Sequence, residues 1–155
     1  MIYKPCDVVV IEGNKWNPLD WVIKQRTSTW WGHCAVIKNE DGYLFDPRAK
    51  GIENNHISKY SNRKHVIRRY KYAFDIDERL IWCNEKQEKA GPYDFLALVG
   101  FLTGKRGLGD ENAWYCAELP YWMFQEFPNT RLTDEEISYI YPCFFMQCND
   151  FITVG

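Results

Sequence analysis

The segment over residues 6–12 constrains the fold of this chain most. At its centre stand four consecutive β-branched residues, Val8 to Ile11, with little alternation between apolar and polar side chains. An uninterrupted run of this kind is typical of a strand whose two faces are both covered. We therefore expect this segment to form a strand buried on both faces and to end at the turn residues Gly13 and Asn14.

The rest of the chain combines further strand patterns with helix patterns. A hairpin is predicted from the strands 34–38 and 43–46, because residues 39–42 between them have turn chemistry. Periodicity and capping residues also predict a helix over 17–26, a strand over 65–70, helices over 77–89, 92–102, 116–127 and from Thr133, and one or two closing strands over 143–147 and 151–154. This pattern indicates an α+β fold in which an antiparallel sheet packs against helices.

Length and charge exclude several classes of protein. A chain of 155 residues can bury a sizeable core, so we expect a single domain over residues 1–155. The formal net charge of -2 gives no reason to expect a nucleic-acid partner. The basic residues at 64, 68, 69 and 71 are followed by an acidic run, and we interpret them as a solvated sheet edge. No segment approaches the roughly 20 apolar residues of a membrane span, so we expect a cytoplasmic protein.

The six cysteines raise two structural alternatives, a disulfide framework and a metal site. Disulfides are disfavoured because the first residues do not resemble a signal peptide and most of the cysteines lie beside apolar residues, as buried thiols do. A zinc site is disfavoured because Cys143 and Cys148, the closest pair, have no histidine nearby. The glycine-rich residues 103–109 lack the sequence of a P-loop. We therefore expect neither a metal nor another cofactor.

One histidine and one cysteine stand where a thiol nucleophile would need them. His33 lies at the start of a predicted strand, and Cys116 lies at the start of a predicted helix. A helix N-terminus and a neighbouring imidazole both favour the thiolate, and the imidazole can then protonate the leaving group. If the two side chains meet in space, they form a cysteine-dependent acyl-transfer site.

Strand geometry decides which residues can join His33. Cys34 follows His33 directly, and successive side chains on a strand point to opposite faces, so we assign Cys34 to the core. Asp46 is the candidate third residue, because a four-residue hairpin loop places it diagonal to His33 on the same face, at about 7 Å. A two-residue loop would move Asp46 opposite Ile37, and an odd loop would turn it to the other face.

These segments resemble the circularly permuted NlpC-type papain-like proteins, whose relatives include YiiX, YebB and the lecithin-retinol acyltransferases. In that family the histidine precedes the cysteine, as it does here. The resemblance covers most of the chain and depends on the order of its motifs. The matching segments are Pro-Cys-Asp-Val-Val-Val at 5–10, His-Cys-Ala-Val-Ile at 33–37, Leu-Phe-Asp-Pro at 44–47 with Gly-Ile at 51–52, and the segments 91–95, 115–119 and 132–137.

The chain departs from the family's pattern in three places. Cys6 and Ala35 stand where the family usually has glycine. Pro120 follows the cysteine motif closely, and its missing N–H would remove an early helical hydrogen bond and bend the predicted helix that presents Cys116.

The resemblance implies a papain-like sheet and helix, with hydrolysis or acyl transfer at an amide, ester or thioester carbonyl. Cys116 would be the nucleophile, His33 the base and Asp46 the residue that orients the base. The backbone N–H of Cys116 would stabilise the oxyanion. The substrate would be a peptide or an acyl lipid, and the aromatic residues near His33 suit a hydrophobic group. The tryptophans at 16, 21, 30 and 31 would line either the core or the cleft.

The same residues also permit a protein without catalytic activity. Cys116 could be an inert buried thiol, His33 a structural histidine, and Asp46 the first residue of a turn. The chain would then keep a papain-like scaffold and capture a peptide or an acylated ligand without turnover. Glu118 is a rival acid, but two residues after Cys116 on a helix it would point elsewhere.

Overall fold

The computed structural model describes residues 3–91, 115–130, 132 and 140–154. The strands in these residues are β1 (Val8–Glu12), β2 (Trp31–Ile37), β3 (Tyr43–Arg48), β4 (Gly51–His56), β5 (His65–Tyr70) and β6 (Phe151–Val154). The helices are α1 (Pro18–Thr27), α2 (Ile76–Lys89), α3 (Glu118–Gln125) and α4 (Phe144–Gln147), with short 3-10 helices at Ile57–Tyr60 and Pro128–Thr130. The six strands form one antiparallel sheet in the order β4-β3-β2-β1-β5-β6. The predicted α+β fold is confirmed.

β1 lies inside the sheet, between β2 and β5, and both of its faces are covered. Val8 and Val10 belong to a large hydrophobic cluster that includes residues of α2, α3 and α4. Val9 and Ile11 belong to a smaller cluster on the opposite face, which includes Ile57 and Tyr60 of the first 3-10 helix. The prediction of a strand buried on both faces is therefore confirmed.

The hairpin between β2 and β3 has the predicted four-residue loop. Lys38 donates its backbone N–H to the carbonyl of Tyr43 at 2.7 Å, and Val36 pairs with Phe45. Continued along the strands, this register places Asp46 on the face that carries His33. The predicted helices over 17–26 and 77–89 and the predicted strands over 65–70 and 151–154 also match α1, α2, β5 and β6.

Two elements near the ends of the sheet differ from the prediction. The residue pattern does not predict β4, because its sequence is polar after Ile52, yet β4 pairs with β3 along its length as an edge strand. Polar residues suit an edge strand, where one face and one row of backbone groups meet water. The predicted strand over 143–147 is wrong, because Phe144–Gln147 forms a helical turn whose two phenylalanines are buried.

The interpretation of the basic residues at 64–71 as a solvated sheet edge is also wrong. β5 lies between β1 and β6. Arg68 of this strand is buried and donates hydrogen bonds to three backbone carbonyls, those of Phe145, Cys148 and Phe151. The guanidinium is buried because it satisfies carbonyl groups that would otherwise lack donors.

Three sequence predictions fall on residues outside those described, namely the helix over 92–102, the glycine-rich loop over 103–109 and the helix from Thr133. Of the helices in the described ranges, none has both the length and the apolar composition needed to cross a bilayer. All six cysteines lie in the described residues, where each is buried and none forms a disulfide.

Candidate active site

His33 lies on β2 beside an irregularity in the sheet. The pairing of β1 with β2 is regular up to Ile11 and His33, and beyond that pair Gly32 is an extra residue on β2. A bulge of this kind bends the strand and changes the direction of neighbouring side chains. Gly32 suits the position, because a Cβ atom there would lie only 2.7 Å from the Cα atom of Gly13.

Gly32→Ala is expected to lower the free energy of unfolding by about 1–3 kcal/mol, because the added methyl group would overlap backbone that cannot rotate away. Urea denaturation would measure the change. Gly13→Ala is the matched control, since its Cβ would meet Asp20 Cβ at 3.1 Å and the Trp30 carbonyl oxygen at 3.2 Å, both farther than the 2.7 Å contact at Gly32, and it should cost less. Equal costs for the two variants would contradict the role of close backbone approach at Gly32.

Asp46 holds the imidazole of His33 in one orientation. Oδ1 of Asp46 lies 2.6 Å from Nε2 of His33, and both side chains are buried. Oδ2 accepts hydrogen bonds from Arg48 Nε at 3.0 Å, Asn55 Nδ2 at 2.9 Å and the Tyr60 hydroxyl at 2.7 Å. A buried carboxylate with four donors is strongly oriented, so the ring that it contacts is oriented too.

The sequence analysis did not identify the three donors to Oδ2. The sequence alone could have identified Arg48, because it follows Asp46 by two positions on the same strand and therefore lies on the same face. Asn55 lies on β4, which the residue pattern does not predict, and Tyr60 belongs to the 3-10 helix that follows. Their contacts with Asp46 depend on how these elements pack.

Burial and charge have opposite effects on the two members of this pair. Burial alone raises the pKa of Asp46, but the hydrogen bond and charge of His33, together with Arg48, lower it below its ordinary value. Burial alone lowers the pKa of His33, but hydrogen bonds to Asp46 and Cys116 raise it above its ordinary value. At neutral pH, Asp46 is therefore an anion that stabilises a proton on the imidazole.

Cys116 lies in a turn directly before α3. The backbone N–H of Glu118 closes this turn on the carbonyl of Tyr115 at 3.0 Å. The thiol of Cys116 lies near enough to the His33 ring to raise the pKa of that ring, as the Asp46 carboxylate also does. Because Asp46 occupies Nε2 of the ring, Nδ1 is the nitrogen that remains for the thiol. The structure thus brings all three predicted residues together, in the order thiol, imidazole, carboxylate.

The predicted helix start at Cys116 is two residues too early, because α3 begins at Glu118. Pro120 is the third residue of α3, where a backbone N–H has no acceptor within the helix. The expectation that Pro120 removes a helical hydrogen bond is therefore wrong, because none is formed at this position. Glu118 accepts the backbone N–H of Tyr115 at 3.1 Å, so its carboxylate points to the backbone as expected of a residue that does not orient His33.

The remaining cysteines occupy different surroundings. Cys34 lies in the large hydrophobic cluster, with its thiol 3.8 Å from the carbonyl of Pro142, so its assignment to the core is confirmed. Burial raises the pKa of the Cys34, Cys83 and Cys143 thiols, and it raises the pKa of Cys6 to about 12. These four thiols are protonated at neutral pH and are poor nucleophiles.

A cleft of about 470 Å³ opens beside His33. Its walls come from the start of α1, from the turn between β3 and β4, and from residues near the first 3-10 helix. The residues that line it are mainly polar or charged, and the tryptophans at 16, 21, 30 and 31 do not line it. Trp16 is 92% exposed and Trp21 52% exposed, so these two belong to neither the core nor the cleft wall.

Comparisons with known proteins support the fold. The sequence matches no protein-family model and no curated protein. Among solved structures, the crystal structure of the metalloprotein YiiX from Escherichia coli O157:H7 is similar, with a TM-score of 0.69 and 14% sequence identity. The match covers 100% of this chain and 98% of that chain. The chain therefore has a YiiX-like fold.

YiiX is a metalloprotein, and the described residues of this chain differ from what a metal ion requires. They contain no group of three or more histidine, cysteine, aspartate or glutamate side chains arranged to hold one. Within the candidate site, Oδ2 of Asp46 is surrounded by hydrogen-bond donors and lies 3.0 Å from the guanidinium of Arg48. A cation is not the partner that these atoms fit.

Proposed function

We propose that this protein is a permuted papain-like cysteine enzyme, a hydrolase or acyltransferase, in which Cys116 is the nucleophile, His33 the base and Asp46 the orienting residue. The observation that supports this most directly is that the imidazole of His33 has the Asp46 carboxylate 2.6 Å from Nε2 and the Cys116 thiol as a second neighbour that raises its pKa. A nucleophile, a base and a group that orients the base are the parts that nucleophilic catalysis requires. The YiiX-like fold and the order of His33 and Cys116 in the chain agree with the permuted arrangement.

In the first half of the reaction, Cys116 loses its proton to His33 as its sulfur attacks the carbonyl carbon of an amide, ester or thioester. The backbone N–H of Cys116 stabilises the resulting oxyanion. His33 then returns the proton to the leaving nitrogen, oxygen or sulfur as its bond to the carbonyl carbon breaks. The acyl group remains on Cys116 as a thioester.

In the second half, water or another acceptor attacks the thioester carbonyl while His33 takes the acceptor's proton. The carbon–sulfur bond breaks, the acyl product leaves, and His33 returns the proton to the thiol. Asp46 stabilises the imidazolium whenever His33 carries the extra proton. The substrate in this proposal is a small peptide or acyl-lipid type molecule.

At mildly acidic pH, iodoacetamide is expected to label Cys116 at least tenfold faster than the other five cysteines. The reason is that Cys116 lies beside His33, whose imidazolium charge favours the thiolate, whereas burial holds the thiols of Cys6, Cys34, Cys83 and Cys143 protonated. Peptide mapping by mass spectrometry after timed labelling would measure the rates. Uniformly slow labelling would reject the catalytic proposal and favour a scaffold that binds a ligand without turnover.

A further inference from the structure

We propose that the cleft beside His33 binds an anionic group of the substrate, a carboxylate or a phosphate, and that Arg48 and Lys50 hold it. This inference rests on the proposed function, because it concerns what the same site accepts. It replaces the expectation of a hydrophobic group, since the cleft walls are polar and charged.

The first support is the charge of the cleft. Four basic side chains (Arg48, Lys50, Lys59 and Arg63) and two acidic ones (Asp20 and Glu53) line it, which gives a formal charge of +2, or +1 when the buried Asp46 beside Arg48 and Lys59 is included. The whole chain carries a formal net charge of -2, so the positive charge is concentrated here against the overall balance. A concave surface lined by one sign of charge attracts ligands of the opposite sign.

The second support is that two of the basic residues have an acidic partner in the cleft wall and two do not. Lys59 Nζ lies 3.6 Å from Glu53 Oε2. Arg63 Nη2 lies 3.8 Å from Asp20 Oδ2. These two pairs account for both acidic residues that line the cleft. Arg48 pairs instead through Nε with the buried Asp46, and Lys50 has no acidic partner among the described residues.

Arg48 is suited to hold an anion close to the reacting groups. Its Nε is fixed by the hydrogen bond to Asp46, while no described residue makes a hydrogen bond or ion pair with its two terminal nitrogens. A guanidinium whose position is already set binds a carboxylate or phosphate with little further loss of freedom. Because Arg48 and His33 line the same cleft, the anionic group would lie beside the imidazole that serves as the base.

Lys50 completes this arrangement from the turn between β3 and β4. Its side chain is exposed, lines the cleft, and forms no hydrogen bond or ion pair with the described residues. The positive charges of the cleft also act on one another. Burial, and to a lesser degree the charge of Arg48, lower the pKa of Arg63 although Asp20 opposes this. A bound anion would relieve that repulsion.

The inference can be tested before a substrate is known, by alkylating Cys116 with iodoacetate, which is an anion, and with iodoacetamide, which is neutral. The ratio of the two rates, divided by the same ratio for free cysteine, is expected to exceed 1 in the parent protein. Lys50→Glu is expected to lower the normalised ratio about fivefold, and 1 M salt should weaken the effect.

Lys71→Glu is the matched control for Lys50→Glu. Lys71 follows Tyr70 at the end of β5, whereas the His33 end of the sheet adjoins His65 at the start of β5. The control should leave the ratio unchanged. Added acetate and inorganic phosphate should both slow the iodoacetate reaction, and the one that protects at the lower concentration identifies the preferred anion.

Two failures are distinguishable in this experiment. In the first, iodoacetamide labels Cys116 preferentially, but the normalised ratio is 1 or less or is unchanged by Lys50→Glu. The cleft then does not select anions, and the proposed function stands. An equal fall in Lys71→Glu would overturn the inference as well, because net charge alone would explain it. If neither reagent prefers Cys116, the proposed function fails and the inference fails with it.

Discussion

Cys116→Ala is expected to abolish covalent capture of acyl and peptide electrophiles and to lower the turnover of any identified substrate by a factor of the order of 10⁴ to 10⁶. The variant removes the atom that would form the acyl-enzyme, while His33, Asp46 and the cleft remain. Activity-based profiling with both kinds of electrophile would measure nucleophilicity and substrate class together, since the parent protein is compared with the variant on each probe.

Cys83→Ala is the appropriate control for Cys116→Ala. Cys83 is also a buried, free thiol, but it lies on α2 within the large hydrophobic cluster. Its substitution should leave a small cavity and keep covalent capture. Turnover that persists in Cys116→Ala would refute the assignment of the nucleophile. Equal loss in both variants, at equal folded fraction, would show that the effect is not specific to Cys116.

The shared face of His33 and Asp46 follows from local rules that the sequence contains. Side chains alternate along a strand, so Cys34 and His33 cannot face the same way. The four-residue loop before Tyr43 sets the pairing of two strands, and that pairing puts Asp46 on the face of His33. Both rules act over a few residues, which is why the structure agrees with them.

Local residue patterns do not specify the partners of Asp46 or the position of Cys116 relative to α3. Both depend on how separate elements of the fold pair and pack. Asn55 and Tyr60 reach Asp46 because a polar segment pairs with β3 as an edge strand, and that pairing leaves no clear hydrophobic pattern. Arg68 was misassigned for a related reason. An arginine is buried only where several carbonyl groups converge on it, and here they come from residues about 80 positions later.

Asp46→Asn is expected to lower the free energy of unfolding by about 3–5 kcal/mol, because it removes the charge that His33 and Arg48 require while leaving them in place. It should also lower the pKa of His33, since the hydrogen bond to Asp46 raises that pKa in the parent protein. Glu53→Gln is the matched control. Glu53 pairs with Asp46 across β3 and β4, but its side chain is 39% exposed. Removing its charge should therefore lower the free energy of unfolding by less than about 1 kcal/mol.

The pH dependence of this loss has a defined sign. The folded-state pKa of Asp46 is lowered from 3.8, so its contribution to stability is present above pH 3.8 and is lost as the pH falls through the lower value. The pKa of His33 is raised from 6.5, so its contribution is present below pH 6.5 and is lost as the pH rises through the higher value. The difference in the free energy of unfolding between the parent and Asp46→Asn should therefore be largest between pH 3.8 and 6.5 and should become smaller on both sides of this range.

Urea denaturation across this pH range, combined with NMR titration of the His33 ring, would measure both effects. A buried pair that serves only the fold would give the stability loss alone, whereas a base oriented for catalysis also requires that the rate of Cys116 alkylation fall when Asp46 is neutral. If Asp46→Asn costs no more than Glu53→Gln and the pKa of His33 does not fall, Asp46 does not control the imidazole. Its place in the proposed triad would then pass to another group.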